Sequence, residues 1–575
     1  MIILILSGCF DFVYLSADDT GSPSDSGSAD SGSADSGSGD SGSADSGSGD
    51  SGGGGGGGGG GLGPSWSWGQ QLTVEDAEAS LTGEAYGDAA GHGLQRCGDL
   101  NGDGVGDLAI GAPYNHDGGA NAGKIYFVFG RSDGWSLDEP LAPYPSIIGA
   151  AEGEQLSDVI PVGDVNDDGL VDLAMDRTIY TVSEDDSVPL LYGDSGTWAS
   201  SRSISDADVL LRSTQYGFGY TTPFALGDMD GDGIDDWAVH GIGEGGELAV
   251  ISGADLSAEV WIPEDVTFWV QGDGGADHLA DYTLRGDLNG DGLSDVVAHH
   301  SGWDDLMIFL GRSSGRPLGE VDTDVMDGQI LANMMTQGIV GDVNDDGSDD
   351  LIVSSDDPDN GVPTGSYLYF GRDDWDTAMD LADADVAITG DRVHSGARLG
   401  DIDGDGITDF GLVATDPANR NSSDVYLFLG QEAWAAEVDV GDAAAHITSA
   451  ATVNGALRLP SEDMLGDVNG DGLSDVLLSA ANTDVGEISS AGGAYLYTGR
   501  TSWEPELDTD DADLSFVGSV TFQNLAYPGR VAVADVNADG YDDLAFASVY
   551  HPAPDAPDAE VAEGQVFLFF GAPGP

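Results

Sequence analysis

Apolar residues in this chain fall in short runs between acidic and glycine-rich stretches. From Trp66 onward they never settle into the three-and-four spacing of a long amphipathic helix. The pattern repeats on a larger scale: each unit reads as strand, acidic loop, strand, variable loop, strand, turn, strand, which predicts an all-β chain. The third strand of the unit is the clearest, at 124–130, 248–253, 304–311, 366–371, 424–430, 493–499 and 564–571; in the second unit it is blurred within 179–193. The fourth follows, for example at 384–390 and 512–518. The last unit stops at its third strand, whereas residues 78–84, ahead of the first loop, form a fourth strand without a unit. Joining the two closes the units into a ring and removes the open sheet edges of a linear array.

The acidic loop is best seen in Asp287-Leu-Asn289-Gly-Asp291-Gly292-Leu-Ser-Asp295, and seven other stretches repeat it 55 to 68 residues apart. Position 1 is Asp99, Asp164, Asp228, Asp287, Asp342, Asp401, Asp467 and Asp535. Position 3 is Asn101, Asn166, Asp230, Asn289, Asn344, Asp403, Asn469 and Asn537. Position 5 is Asp103, Asp168, Asp232, Asp291, Asp346, Asp405, Asp471 and Asp539; position 9 is Asp107, Asp172, Asp236, Asp295, Asp350, Asp409, Asp475 and Asp543. Position 6 is always glycine, which supplies the backbone angles of a tight curl. Alternate positions aim their oxygens at one point, and the carbonyl of position 7 (Val105, Leu170, Ile234, Leu293, Ser348, Ile407, Leu473, Tyr541) adds another. Carboxylates so close repel by roughly 1–4 kcal/mol per pair. A hard, oxygen-seeking cation relieves that repulsion, so the expected cofactor is Ca2+, up to eight ions in structural roles.

An EF-hand shares the first half of this loop, but it needs an acid at position 12 and helices on both sides. Position 12 here is Ile110, Met175, Val239, Ala298, Val353, Leu412, Leu478 and Phe546, inside runs that read as buried strands. The EF-hand reading is set aside.

Composition adds three points. The formal net charge is −88, with 104 acids against 16 bases. Such a field opposes nucleic acid and anionic membrane surfaces. Lys124 is the only lysine. Of the two cysteines, Cys97 sits in a strand and is expected to be an inert core thiol, while Cys9 ends the stretch Leu6-Ser7-Gly8-Cys9. That stretch resembles the lipobox of bacterial lipoproteins, which implies cleavage before Cys9 and a lipid on its thiol, although no Lys or Arg precedes the short apolar run. Residues 1–16 are thus read as a lipoprotein signal remnant. Residues 17–65, rich in Asp, Ser and Gly and ending in ten consecutive glycines (52–61), are read as a disordered tether of about 35–40 Å reach, and 66–575 as the folded body.

The Gly-Asp-x-Asn/Asp-x-Asp-Gly loops, with Ile110-Gly111-Ala112-Pro113 after the first, resemble the FG-GAP repeats of the integrin α-subunit head. The resemblance covers roughly residues 75–575 and implies a β-propeller with Ca2+ loops between the first two strands of some blades. It departs in that only the first unit keeps Gly-Ala-Pro and the eighth loop opens Ala534-Asp535. Integrin heads have seven blades; eight loops here argue for eight four-stranded blades, with seven plus an extra unit as the alternative.

Other motifs are weighed against blander readings. Arg285-Gly286-Asp287 spells an adhesion tripeptide, but its aspartate is already position 1 of the fourth loop. Gly311-Arg-Ser313-Ser-Gly315 matches a nucleophile elbow, which requires strand–turn–helix; equivalent turns in other units make it a repeat turn. Gly-Asp-Ser-Gly at 39–42, 49–52 and 193–196 lacks a histidine partner. His299-His300 reads as a solvated pair. Trp135, Trp198, Trp375, Trp434 and Trp503, each after a third strand, read as turns packed on their own blades rather than a glycan-binding row. The variable connections 114–123, 356–365, 416–424 and 550–564 are, by the integrin resemblance, on the face where partners bind. The expected function is a non-catalytic, calcium-stabilised propeller on the bacterial envelope, lipid-anchored, binding an extracellular protein or glycan; the alternative is a hydrolase or lyase with its site in the central channel.

Overall fold

The computed structural model describes residues 66–574. The exceptions are 177–186, 196–197, 199–200, 214–220, 242–245, 254–255, 263–264, 272–278, 301–304, 314–325, 332–335, 356–363, 391–392, 416–422, 450–452, 455, 460–463, 482, 487, 521–522, 528–529 and 550–562. The stretches read as a lipobox and a tether, and most of the variable connections, lie outside these residues.

The chain is an eight-bladed β-propeller, each blade carrying one acidic loop. Blade 1 runs Leu94–Gly98, Asp107–Ala112, Lys124–Val128 and Ser146–Ile148, antiparallel throughout. Its strands are apolar on both faces because each sheet is packed between two others; all six residues of Asp107–Ala112 are buried. Eight apolar clusters fill the eight seams. Cys97 is fully buried in the seam between blades 1 and 2, as expected of a core thiol.

The N-terminal strand closes the ring. Ala79–Thr82 pairs antiparallel with Gln565–Phe569, completing blade 8, and Leu81 joins Leu94, Ile110 and Leu568 in the seam between blades 8 and 1. Most blades also carry a fifth strand, where four are expected. It is a short outer strand contributed in parallel by the segment leading into the next blade's fourth strand, such as Met379–Asp380 beside Gly328–Leu331 and Glu506–Asp508 beside Ala445–Thr448. Gln70–Thr73 does the same for blade 7, whose inner strand shows, among the described residues, single bridges at Gly466↔Asp475 and Arg458↔Ser479. The blurred third strand of blade 2 is Ser187–Leu191, interrupted in pattern by Pro189.

The repeating tryptophans pack on their turns and across the seams: Trp198 of blade 2 lies against Phe127 of blade 1 and donates to the Leu100 carbonyl, and Trp434 donates to the Val343 carbonyl of the preceding blade. Trp135, Trp375 and Trp503 are buried, each under the guanidinium of Arg131, Arg372 or Arg500. The histidine pair corrects the sequence reading: His299 and His300 end the strand Asp295–His300 and both are buried, His299 with a pKa lowered by burial to about 4. The single lysine is also buried, its Nζ 2.6 Å from Glu84 and 2.9 Å from Asp117, beside the ring-closing strand.

Candidate metal centres in the inter-strand loops

Each acidic loop sits between the inner strand and the second strand of its blade, at one end of the ring. Its curl needs two left-handed residues, not one. Position 6 glycine has φ between 83° and 93° in all eight loops. Position 4 is also left-handed: Gly102, Gly231, Gly290, Gly404, Gly470, Asp167, Asp345 and Ala538. The preponderance of Gly and Asp there was the available sequence signal. At Gly470 space is short as well, since a Cβ would lie 2.4 Å from the Tyr541 ring of the next loop.

The curl is pre-set by the ligand side chains. In every loop one position 1 carboxylate oxygen accepts the N–H of position 6, as Gly104 to Asp99 at 2.7 Å and Gly540 to Asp535 at 2.9 Å. The position 5 carboxylate accepts the N–H of position 7 in every loop, as Val105 to Asp103 at 3.0 Å. These local bonds orient the acids without any ion.

Position 9 does something further. Its carboxylate is buried in all eight copies. One oxygen accepts the N–H of position 2, and the other accepts the N–H of the glycine ending the third strand. Leu100 and Gly130 donate to Asp107, both at 2.9 Å, and Ile402 and Gly430 to Asp409 at 2.8 and 2.7 Å. The same pair recurs in the other six. Position 9 therefore clasps the loop to the body of its blade. Burial pushes these carboxyls up, to about 7 in Asp107, Asp172, Asp236, Asp295, Asp409 and Asp475 and about 8 in Asp350 and Asp543, against the pull of the two N–H donors.

Neighbouring loops are tied in turn. The N–H of position 8 donates to the position 1 carbonyl of the preceding blade at six described seams, including Asp349 to Asp287 at 2.7 Å. At the closing seam Gly106 donates to Asp535 at 3.1 Å, so the ring is shut by the bond used elsewhere.

The residues fit a hard cation. Asp228, Asp230 and Asp236 in the third loop, and Asp401, Asp403 and Asp405 in the sixth, each gather three carboxylates with ligand atoms within 4.8 Å of one another. In the second and eighth loops the Asn166 and Asn537 Oδ1 atoms are buried without a hydrogen-bond donor. An all-oxygen set of this kind, with acceptors left over, matches Ca2+ and not a thiolate- or imidazole-seeking ion. Position 12 is buried in every loop, from Ile110 to Phe546, as the non-EF-hand reading requires. In Arg285-Gly286-Asp287, the Asp287 carboxylate accepts from Asp291 and Gly292 inside its own loop, so it is not displayed for recognition.

The two departures from the repeat have local reasons. Gly111 of Gly-Ala-Pro approaches blade 2 so closely that a Cβ would meet the Ser157 carbonyl at 1.7 Å. Ala534 replaces the usual glycine where the strand pairs without a bulge, and so has no left-handed angle to adopt.

Comparison with known proteins now has a place. The FG-GAP repeat profile matches residues 98–128, the first loop and the two strands after it. With the eight blades, this supports an FG-GAP β-propeller. The chain is 31% identical over 147 residues to phosphatidylinositol-glycan-specific phospholipase D of Mus musculus, covering 24% of this chain and 17% of that protein. The Rattus norvegicus protein of that name is 32% identical over 149 residues, with the same coverages. The chain thus spans about a sixth of the length of these curated relatives. Among solved structures, BBS1N in complex with ARL6DN, soaked with mercury, overlays with a TM-score of 0.29 at 10% identity, over 74% of this chain and 92% of that one. The relatives correct one expectation: a non-catalytic protein was anticipated, and the curated proteins that match 24% of the chain are named as phospholipases, which are hydrolases.

Proposed function

We propose that this chain is a Ca2+-braced β-propeller that recognises a protein or glycan at the bacterial envelope, in the service of a hydrolytic activity of the phospholipase kind named for its relatives. The observation that carries the calcium part is the convergence of three carboxylates within 4.8 Å in the third and sixth loops. Positions 1, 3 and 5 and the position 7 carbonyl would hold the ion, with position 9 behind them. The ion supplies charge neutralisation at a turn that joins two strands of one blade and touches the next. A site filled at 100 times its Kd contributes about 2.7 kcal/mol to stability. The envelope anchor rests on the lipobox at Cys9. The hydrolytic part rests on sequence shared with the phospholipases over 24% of the chain.

Two experiments test the two parts. Adding EGTA to purified protein is expected to lower its melting temperature by many degrees; a melting curve indifferent to EGTA removes the calcium part. Incubation with phosphodiester-linked glycolipids in Ca2+ is expected to release product, and no turnover on any such substrate, with the protein folded and calcium-loaded, removes the hydrolytic part.

A further inference from the structure

A cavity of about 930 Å³ follows the propeller axis, and Arg96, Arg285 and Arg398 line it from blades 1, 4 and 6. Counted from the loops they are not equivalent, since Arg96 and Arg398 stand three residues before position 1 and Arg285 two. The sheet register makes them so. In blades 1 and 6 the inner strand bulges between Arg96 and Gly98 and between Arg398 and Gly400, whereas in blade 4 the pairing runs unbroken from Thr283 to Gly286. One extra residue in the bulged strands cancels the difference. Arg96 pairs with Leu108, Arg285 with Val296 and Arg398 with Phe410, in each case the residue just after position 9. The three therefore occupy one tier of the channel, three, two and three blades apart around the ring. Their counterparts in other lining blades are apolar, among them Pro161, Ile339 and Val533.

Side chains span this tier: Arg96 reaches the Leu465 carbonyl, on the far side of blade 8, at 3.4 Å. Five acids also line the cavity: Asp235, Asp349 and Asp542 each accept the N–H of a neighbouring loop's position 1, at 2.9, 3.0 and 2.8 Å, Asp535 accepts from Asp539 and Gly540 in its own loop, and Asp158 accepts from the Ser157 hydroxyl. In a chain with only 16 bases and a net charge of −88, three guanidiniums share this one tier, beside five carboxylates that are already engaged by N–H or O–H donors. Guanidinium presents paired N–H groups that match phosphate oxygens, and walls of low dielectric focus its field. We propose that this tier is an anion site that takes a phosphate group on the channel axis, either free or esterified to a sugar. The inference requires no ion in the acidic loops and is separable from the calcium reading.

The test is titration calorimetry on the calcium-loaded protein at 0.15 M NaCl, with sulfate-free buffer and three probes: inorganic phosphate, glucose 1-phosphate and glucose. Saturable heat is expected from one or both phosphates and none from glucose; the stronger of the two identifies the free or the esterified form. R96Q, R285Q and R398Q are each expected to weaken binding at least tenfold, R285K to restore part of it, and R202Q, away from the channel, to change nothing. Melting of each variant in the same buffer shows whether it folds, and R285Q, altering an exposed channel side chain, serves if the others do not. No saturable heat from wild type with either phosphate up to 10 mM, or equal binding by the folded arginine variants, overturns the proposal. Calcium-dependent melting that survives such a failure leaves the loop cages standing.

Discussion

The sixth and eighth loops share a curl and differ in what fills it. The sixth opens after a bulge at Gly400, has Asp403 at position 3 and Gly404 at position 4, and draws three carboxylates together. The eighth opens at Ala534 without a bulge and has Asn537 at position 3, its Oδ1 buried without a donor. At position 4 it forces Ala538 to a φ of 61°. Both nevertheless keep the same bonds from position 6 to position 1, from position 7 to position 5, and from the backbone to position 9. The loop's shape is therefore set by the backbone N–H groups that its acidic side chains accept and by its left-handed position 6 glycine, whereas its demand for a cation is a property of its charge. Shape and demand can be broken separately.

The largest effect is expected at the shared clasp. D409A leaves the buried N–H groups of Ile402 and Gly430 without an acceptor, at a cost of about 3 kcal/mol or more. D543A should cost a similar amount in denaturant unfolding, because the clasp is common to both loops. A small cost at either one would show that the loop holds by other means.

Acidity acts on all eight clasps together. Their carboxyls fold with pKa values of about 7 or 8, above the ordinary value, so the folded protein holds protons that the unfolded chain releases. Without calcium, stability should therefore fall as pH rises from about 4 to 8 and level off above. Calcium competes with those protons and should flatten the profile; chelated protein that becomes more stable from pH 5 to 8 would contradict the assignment.

D403N converts the sixth loop to the asparagine type of the eighth. Relief of carboxylate repulsion should stabilise the protein in EGTA by about 1 kcal/mol, and the lost ligand should weaken calcium binding at that loop. The reversal of sign between the two buffers is the readout. The smallest change is A538G, expected to stabilise by up to about 1 kcal/mol by removing a left-handed alanine, with or without calcium.

Much of this was legible because the loop writes its chemistry in side chains. Asp and Gly at fixed spacing, apolar residues at position 12 and the unpaired strand at 78–84 each had one good physical reading, and the closed eight-bladed ring follows from them. The outer fifth strands were not legible. Glu437–Asp439 and Glu506–Asp508 are too short and too acidic to carry a strand pattern, which also suits an edge that must not recruit another chain. The burial of His299-His300 was hidden because a strand packed on both faces gives no alternation to show which residues are inside. Arg285 could not be aligned with Arg96 and Arg398 from spacing alone, because one bulge shifts the count.

The most direct measurement of the central claim is the calcium content of the purified protein after gel filtration in calcium-free buffer and back-titration by equilibrium dialysis. Loops built as cages should bind several ions per chain, up to eight, with fewer bound by D403N at subsaturating calcium. Wild-type protein that is folded and binds none at millimolar calcium would contradict it.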